Sequence, residues 1–282
     1  MSGFYALIMG LTVVSGASGR LGGRVAGRLG APQRLLVRDA SRAPAIEGAE
    51  VAVAAYYDRD AMRKALTGAA TVLMVSGAET PERVAQHKTF IDAAVDAQIE
   101  HLVYTSFVSA APDAVFTLAR DHWATEEYIK ASGIPYTFLR DNLYADFLPL
   151  LVGEDGVIRG PAGDGRAAVV SQDDVADSAV AVLREPGAHS GRTYDLSGPE
   201  ALTFTEMAAV VARATGRDVR FHNESLEEAY ESRASYGAPS WQVDAWVSTY
   251  TAVAAGQMDV VDQAVANLTG RPAMTLAETL RG

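Results

Sequence analysis

The chain of 282 residues contains no cysteine. That excludes disulfides, iron–sulfur clusters and thiolate metal sites. Lysine is almost absent, with Lys64, Lys88 and Lys130 the only three, and no basic run occurs anywhere. The formal net charge is -11, whereas nucleic-acid binding needs clustered Lys and Arg, so no nucleic-acid partner is expected. The five histidines, at 87, 101, 122, 189 and 222, are scattered and none forms an H-E-x-x-H pair. No metal site is therefore expected. The apolar run FYALIMGLTVV is too short to span a membrane and lacks the charged flank and cleavage site of a signal peptide. An internal Met9 opens MGLTVVSGASG, so residues 1–8 are expected to be an N-terminal extension. These absences make the expected compartment cytoplasmic, with no membrane partner.

What is present is an ordinary globular composition, 49% hydrophobic and 21% charged. Short apolar, β-branched runs alternate with helical patterns through the first half. Strands are expected at 11–16, 33–39, 50–58, 71–77, 101–107 and 136–142, with helices near 20–30, 59–68, 81–98 and 119–132. The strands are apolar throughout rather than alternating, the pattern of a parallel sheet covered by helices on both faces. Strand–helix–strand repetition gives an α/β, doubly wound parallel sheet with right-handed crossovers. After Asn142 the rhythm changes to glycine-rich loops, short strands and a mostly helical tail rich in aromatics (Tyr230, Tyr236, Trp241, Trp246 and Tyr250). The expected division is a dinucleotide-binding core over residues 1–142 and a smaller α/β, mostly helical substrate-binding part over 143–282, with some segments returning to the core.

The stretch VVSGASGRLGGRVAGRL places Gly16, Gly19 and Gly22 between the first strand and the first helix. A helix N-terminus presents unpaired N–H groups and the positive end of its dipole, so a glycine turn there suits a diphosphate. In a dinucleotide site the first glycine makes the turn, the second admits the phosphates and the third lets helix and strand pack closely. A plain chain reversal would not need all three. The end of the second strand, LLVRDASRAP, bears on which dinucleotide. Arg38, with Arg42 a turn away, suits the extra phosphate of NADP, and Asp39 suits the ribose hydroxyls of NAD. NADP(H) is favoured and NAD(H) stays open; Arg38 as a plain solvated charge is the alternative.

The G-x-x-G-x-x-G spacing resembles the short-chain dehydrogenase/reductase superfamily. Further segments, among them LLVRDASRA, QHKTFIDAAVDAQIEHLVYTSF, HWATEEYIKASGIPYTFLRDNLYADFLP, AGDGRAAVVSQDDVADSAVAVL and YDLSGPEALTFTEMA, resemble its atypical, NmrA-like group. Within that group they are similar to bacterial NAD(P)H:quinone oxidoreductases and triphenylmethane-dye reductases. The resemblance implies a Rossmann-type fold and a cofactor pyrophosphate wrapped by Gly16, Ser18, Gly19, Arg20, Leu21 and Gly22, with Arg38 at the adenosine phosphate. It places Ser76 and Gly77 beside the nicotinamide, Thr105, Ser106 and Phe107 on the floor of that pocket, and Phe107, Asn142 and Tyr144 toward a small aromatic or quinone-type substrate. The third strand departs from the family pattern A-D-Y-x-D. It reads AAYYD, with Ala55 replacing the first carboxylate, which leaves Tyr56 and Asp58 as adenine contacts on weaker ground.

Most short-chain dehydrogenases carry a Y-x-x-x-K pair, and no tyrosine here has a lysine four residues on. In LARDHWATEEYIK, His122 falls near the tyrosine's place and Glu126 near the lysine's. Hydride addition to a quinone yields an aryloxide whose charge spreads over the ring, so a dedicated acid is dispensable. His122, whose unperturbed pKa lies near neutrality, and Ser106 are the candidate catalytic residues; a packing histidine is the alternative for His122. The chain is thus expected to be an NAD(P)H-dependent oxidoreductase acting on quinones or similar flat acceptors. A tailoring enzyme on aromatic polyketide quinones, and a regulator that senses NAD(P) without turnover, stay open. So does a homodimer.

Overall fold

The computed structural model describes residues 10–30 and 32–281, so the extension expected over residues 1–8 lies outside the described residues. The described residues form two compact units, one made of the stretch up to residue 105 with 128–138 and 179–192, the other of 106–127, 139–178 and the stretch from residue 193 on.

The alternation read from the sequence is realised as β1 (Thr12–Ser15), α1 (Arg20–Leu29), β2 (Gln33–Val37), β3 (Glu50–Val53), α2 (Arg59–Leu66), β4 (Thr71–Met74) and α3 (Arg83–Asp96). β5 (His101–Phe107), α4 (Thr117–Ser132) and β6 (Tyr136–Asp141) follow. β3 ends at Val53, although its apolar pattern runs on to Tyr57. The chain has turned by then: Asp58 N–H donates to the Ala55 carbonyl, and the Asp58 carboxylate caps α2 by accepting from Ala61 N–H at 3.0 Å. An N-cap of this kind stabilises a helix by about 1 kcal/mol.

The later elements are β7 (Val157–Gly160), β8 (Arg166–Ala167), α5 (Gln172–Arg184), β9 (Arg192–Asp195), β10 (Leu202–Thr203), α6 (Phe204–Thr215) and β11 (Arg220–Asn223). The helical tail comprises α7 (Leu226–Ala234), α8 (Ser240–Ala254), α9 (Ala264–Thr269) and α10 (Leu276–Thr279). Among the described residues the main sheet has seven strands in the order β3-β2-β1-β4-β5-β6-β9. β1 pairs parallel with both β2 and β4, Val14 lying opposite Leu35 on one side and Leu73 on the other. This is an α/β, Rossmann-like sheet, and its order reverses between β1 and β4. In such sheets ligands bind beyond the carboxyl ends of the strands at that reversal. Strands β1, β4 and β5 are buried along their whole length, which explains why they read as unbroken apolar runs.

In the first unit the core gathers Val13, Leu36, Met62, Val72, Phe90, Tyr104 and Phe138. In the second it gathers Phe107, Leu148, Ile158, Phe204, Met207, Tyr250 and Val253. The aromatic tail divides between core and surface. Tyr250 packs tilted against Phe204 with ring centroids 4.9 Å apart, and any side chain at Gly160 would run into its ring, 2.3 Å from Cδ1. Tyr236 and Tyr230 are exposed. Thr203 and Glu206 form a capping box at the start of α6. Asp174 and Asp177 on α5 grip Arg271 at 2.6 and 2.5 Å, and Asp174 also accepts from Met274 N–H, pinning the last stretch of chain.

His101 at the start of β5 is buried, with Nε2 2.9 Å from Thr137 Oγ1. Thr137 gives its own proton to the His189 carbonyl, so His101 must be the donor and carries its proton on Nε2. Burial, followed by the proximity of His189, lowers its pKa from 6.5 to about 4. Folded His101 therefore stays neutral where the unfolded chain takes up a proton, and the fold loses stability as pH falls from 6.5 to about 4. The loss attributable to one such group is at most about 1.4 kcal/mol per pH unit. The variant His101→Gln keeps a donor for Thr137 but cannot protonate. Urea unfolding measured from pH 7 to pH 4 should show a shallower loss of stability for it than for the wild type.

Candidate functional site

The first unit carries the glycine turn. Gly16, at φ +61°, turns the chain out of β1 in the left-handed region that favours glycine. The Gly19 amide then donates to the Gly16 carbonyl at 2.8 Å. A Cβ on Gly22 would stand 2.3 Å from the same carbonyl oxygen, so only glycine lets α1 start this close to β1. Gly19 is the N-cap of α1 and supplies no side-chain cap, and no acidic residue lies in the first turn. The helix end is thus left electropositive, and the turn fits a cofactor pyrophosphate. Ser18 is half-buried, Gly19 and Arg20 are exposed, and the Leu21 side chain is buried, so Leu21 has only its backbone to offer a ligand.

At the end of β2, Arg38 and Arg42 are exposed. Between them Asp39 folds back on its own turn, its Oδ1 accepting from Ser41 N–H at 2.9 Å and from Ser41 Oγ at 2.8 Å. Those bonds, with the positive charge of Arg42, hold its carboxyl below the usual range. One of its two carboxylate oxygens is thus engaged.

Tyr56 and Asp58, expected at the adenine, have other partners. Asp58 caps α2, as described above. The Tyr56 hydroxyl donates to the Val75 carbonyl at 2.7 Å and lies 2.6 Å from Ser15 Oγ, which accepts from Val75 N–H at 2.9 Å. The hydroxyl protons can satisfy all three bonds only if Ser15 donates to Tyr56, giving a closed ring around Val75. Burial raises the Tyr56 pKa, so the phenol stays protonated. Next along the chain, Ser76 N–H donates to Thr105 Oγ1 at 2.8 Å and Gly77 N–H donates to His87 Nε2 at 2.8 Å.

The second unit carries Ser106, Phe107, His122, Asn142 and Tyr144. Ser106 and Glu126 are fully buried. Ser106 Oγ donates to Glu126 Oε1 at 2.6 Å, and Arg140 from β6 meets both carboxylate oxygens, at 2.8 and 2.6 Å. The residue at the lysine's place is therefore an ion-paired glutamate that orients the Ser106 hydroxyl. Arg140 was not anticipated; an arginine in the apolar run YTFLRD is the signal that a buried carboxylate awaits it. The ring of Phe107 lies 6.1 Å from that of His122 and 5.0 Å from that of Phe116, which brings two of the expected residues together. Asn142 is buried, its Nδ2 donating to the Met258 carbonyl at 3.0 Å and its Oδ1 accepting from Leu143 N–H at 2.8 Å. Tyr144 donates its hydroxyl to Asp141, and its ring meets Phe147 edge-on. Burial first, and the Asp141 carboxylate second, raise its pKa well above 10. The polar ends of Asn142 and Tyr144 thus brace the protein itself. Among the described residues, no cluster of three or more His, Asp or Glu could hold a metal ion.

Comparison with known proteins places this geometry. Quinone oxidoreductase 2 of Escherichia coli K12 is 32% identical over 281 residues, covering 96% of this chain and 97% of the relative. The crystal structure of the NADPH-dependent E. coli QOR2 complexed with NADPH superposes with a TM-score of 0.87 over 96% of this chain and 98% of that one. The (4-alkanoyl-5-oxo-2,5-dihydrofuran-3-yl)methyl phosphate reductase of Streptomyces griseus is 36% identical, covering 93% of this chain and 94% of the relative. The Citrobacter sp. triphenylmethane reductase complexed with NADP(H) superposes with a TM-score of 0.85 at 31% identity, over 96% of this chain and 99% of that one. Residues 10–247 match the NmrA-like family, and with relatives this similar along nearly its full length, the chain belongs to that family.

Proposed function

We propose that this protein is an NAD(P)H-dependent oxidoreductase that reduces quinones and similar flat, electron-poor acceptors, with NADP(H) preferred. The observation that carries the reading is the uncapped glycine turn at the sheet's reversal point, in a chain similar from end to end to reductases of such acceptors. Quinones, triphenylmethane dyes and an unsaturated lactone share one property: hydride addition leaves no localised alkoxide, because the quinone and the lactone spread the negative charge over a conjugated system and the cationic dye is neutralised. When bound, the nicotinamide supplies that hydride.

The backbone of Gly16, Ser18, Gly19, Arg20, Leu21 and Gly22 holds the pyrophosphate, while Ser76, Gly77 and Thr105 serve the nicotinamide side. Arg38 takes the adenosine phosphate, a role supported by Asp39 being engaged with Ser41. Tyr56 shapes the adenine side by bracing Val75 and Asp58 by capping α2. In the second unit, Phe107 and the ring of Tyr144 offer flat apolar surface to the acceptor, and Asn142 fixes the backbone around them. His122 donates to the reduced acceptor's oxygen. Ser106, its proton held by Glu126, contributes a hydroxyl oxygen as acceptor. A delocalised aryloxide makes weak demands on such an acid, which fits the missing Tyr–Lys pair. The same reading places the protein in the cytoplasm, where NADPH is available; among the described residues no helix is long and apolar enough to cross a membrane.

The direct test follows NADPH and NADH oxidation with acceptors from benzoquinone to multi-ring anthraquinones. Turnover with small quinones is expected; cofactor binding without turnover on any acceptor would overturn the reading in favour of a sensor. Loss of one charge-assisted contact to phosphate in Arg38→Ala should lower kcat/KM for NADPH about 10- to 100-fold and leave NADH nearly unchanged. For His122→Phe, a fall in kcat of about tenfold or less with quinones is expected, below the 10²–10⁴-fold of a dedicated general acid. A larger fall would assign His122 that stronger role.

A further inference from the structure

The three residues leaving β4 are held in a way the glycine turn does not explain. Among the described residues, Val75, Ser76 and Gly77 pair with no neighbouring strand, yet the N–H of each is taken by a side chain: Ser15 at 2.9 Å, Thr105 at 2.8 Å and His87 at 2.8 Å. Two of the three carbonyls are also held by side chains. Val75 accepts from Tyr56 at 2.7 Å, and Gly77 accepts from Arg83 Nε at 3.1 Å. His87 and Arg83 stand one helical turn apart on α3, so a single helix grips both polar groups of Gly77.

His87 is 0% exposed. Its ring packs edge-on against Tyr104 at 5.8 Å and tilted against Tyr56 at 6.3 Å. Because Nε2 accepts from Gly77 N–H, the neutral ring carries its proton on Nδ1. Burial keeps it neutral, lowering its pKa to about 3. A Cβ on Gly77 would approach Nε2 to 3.1 Å, so the glycine lets the backbone reach the ring. The reactions proposed above need no buried neutral imidazole at this place, and a histidine is a costly filler for an apolar pocket.

We propose that His87 is a positioning residue for the cofactor, holding the Val75–Gly77 segment in its binding conformation before the cofactor arrives. The inference rests on the reading that this unit binds NAD(P)H through Ser76 and Gly77. A segment fixed in advance loses no backbone freedom on binding, so the fixing shows as affinity for cofactor rather than as rate.

The experiment compares wild type, His87→Leu, His87→Gln and His87→Asn. NADPH binding is titrated by fluorescence, KM and kcat are measured with one small quinone, and amide exchange at Gly77 is followed in the cofactor-free protein. His87→Leu removes the acceptor and should raise the NADPH dissociation constant about 10- to 100-fold. Its kcat at saturating NADPH should stay within about threefold of wild type, and Gly77 exchange should quicken. Gln can place Oε1 where Nε2 stood, so His87→Gln should recover most of the affinity and the protection. Asn is too short to reach Gly77, so His87→Asn should behave as Leu does; it serves as the acceptor-free variant if Leu does not fold. A folded acceptor-free variant with wild-type affinity would overturn the proposal, as would a Gln variant no better than Leu or Asn. If the wild type itself binds no NADPH, the functional reading fails instead, and the two failures are distinct.

Discussion

The contact on which the rest of this structure depends is the approach of Gly22 to the carbonyl of Gly16. With no Cβ at residue 22, α1 begins against the end of β1, and any larger residue would have to displace the backbone itself. That approach aims the helix N-terminus across the point where the strand order reverses, between β1 and β4. The parallel sheet supplies a rigid platform, since β1 is buried along its length and paired on both sides. The electropositive helix end, the lack of a side-chain cap and the exposed Arg38 then act in one neighbourhood. The cofactor site proposed here relies on backbone geometry more than on side-chain chemistry.

Around that platform the protein uses its buried polar groups to hold backbone in place. Ser15, Tyr56, Thr105, His87 and Arg83 all act on three consecutive residues after β4. In the second unit Glu126 is held by the fork of Arg140 and in turn holds Ser106. A buried carboxylate without such a partner would be strongly destabilising. No Tyr–Lys pair of the Y-x-x-x-K kind is present, and the serine that the ion-paired Glu126 holds offers a different chemistry. A tyrosine activated by lysine gives a proton readily to a localised alkoxide, whereas a serine bound to a carboxylate does not. The arrangement suits acceptors that stabilise their own negative charge.

Much of the fold is legible in the order of residues alone. Strands β1, β4 and β5 fall where largely apolar runs occur, because strands buried on both faces have no polar side to show, whereas β3 at the sheet edge is mostly exposed. The capping box at Thr203 and Glu206 is legible because its chemistry is local, three residues apart. The overrun of β3 past Val53 shows the limit. The apolar run continues to Tyr57, and only the hydrogen bonds of Asp58 show that the chain has already turned into α2.

By itself the sequence determined the α/β architecture, the glycine-rich turn and the absence of a Y-x-x-x-K pair, since each is written in spacing along the chain. Tertiary structure alone decided the partners of polar side chains that pair across long stretches of sequence. Tyr56 closes a ring with Ser15 and Val75, and Asn142 holds Met258. Glu126 pairs with Arg140. A hydrogen bond forms within about 3 Å in a particular direction. For groups 14 to 116 residues apart, spacing says nothing about distance until the chain has folded.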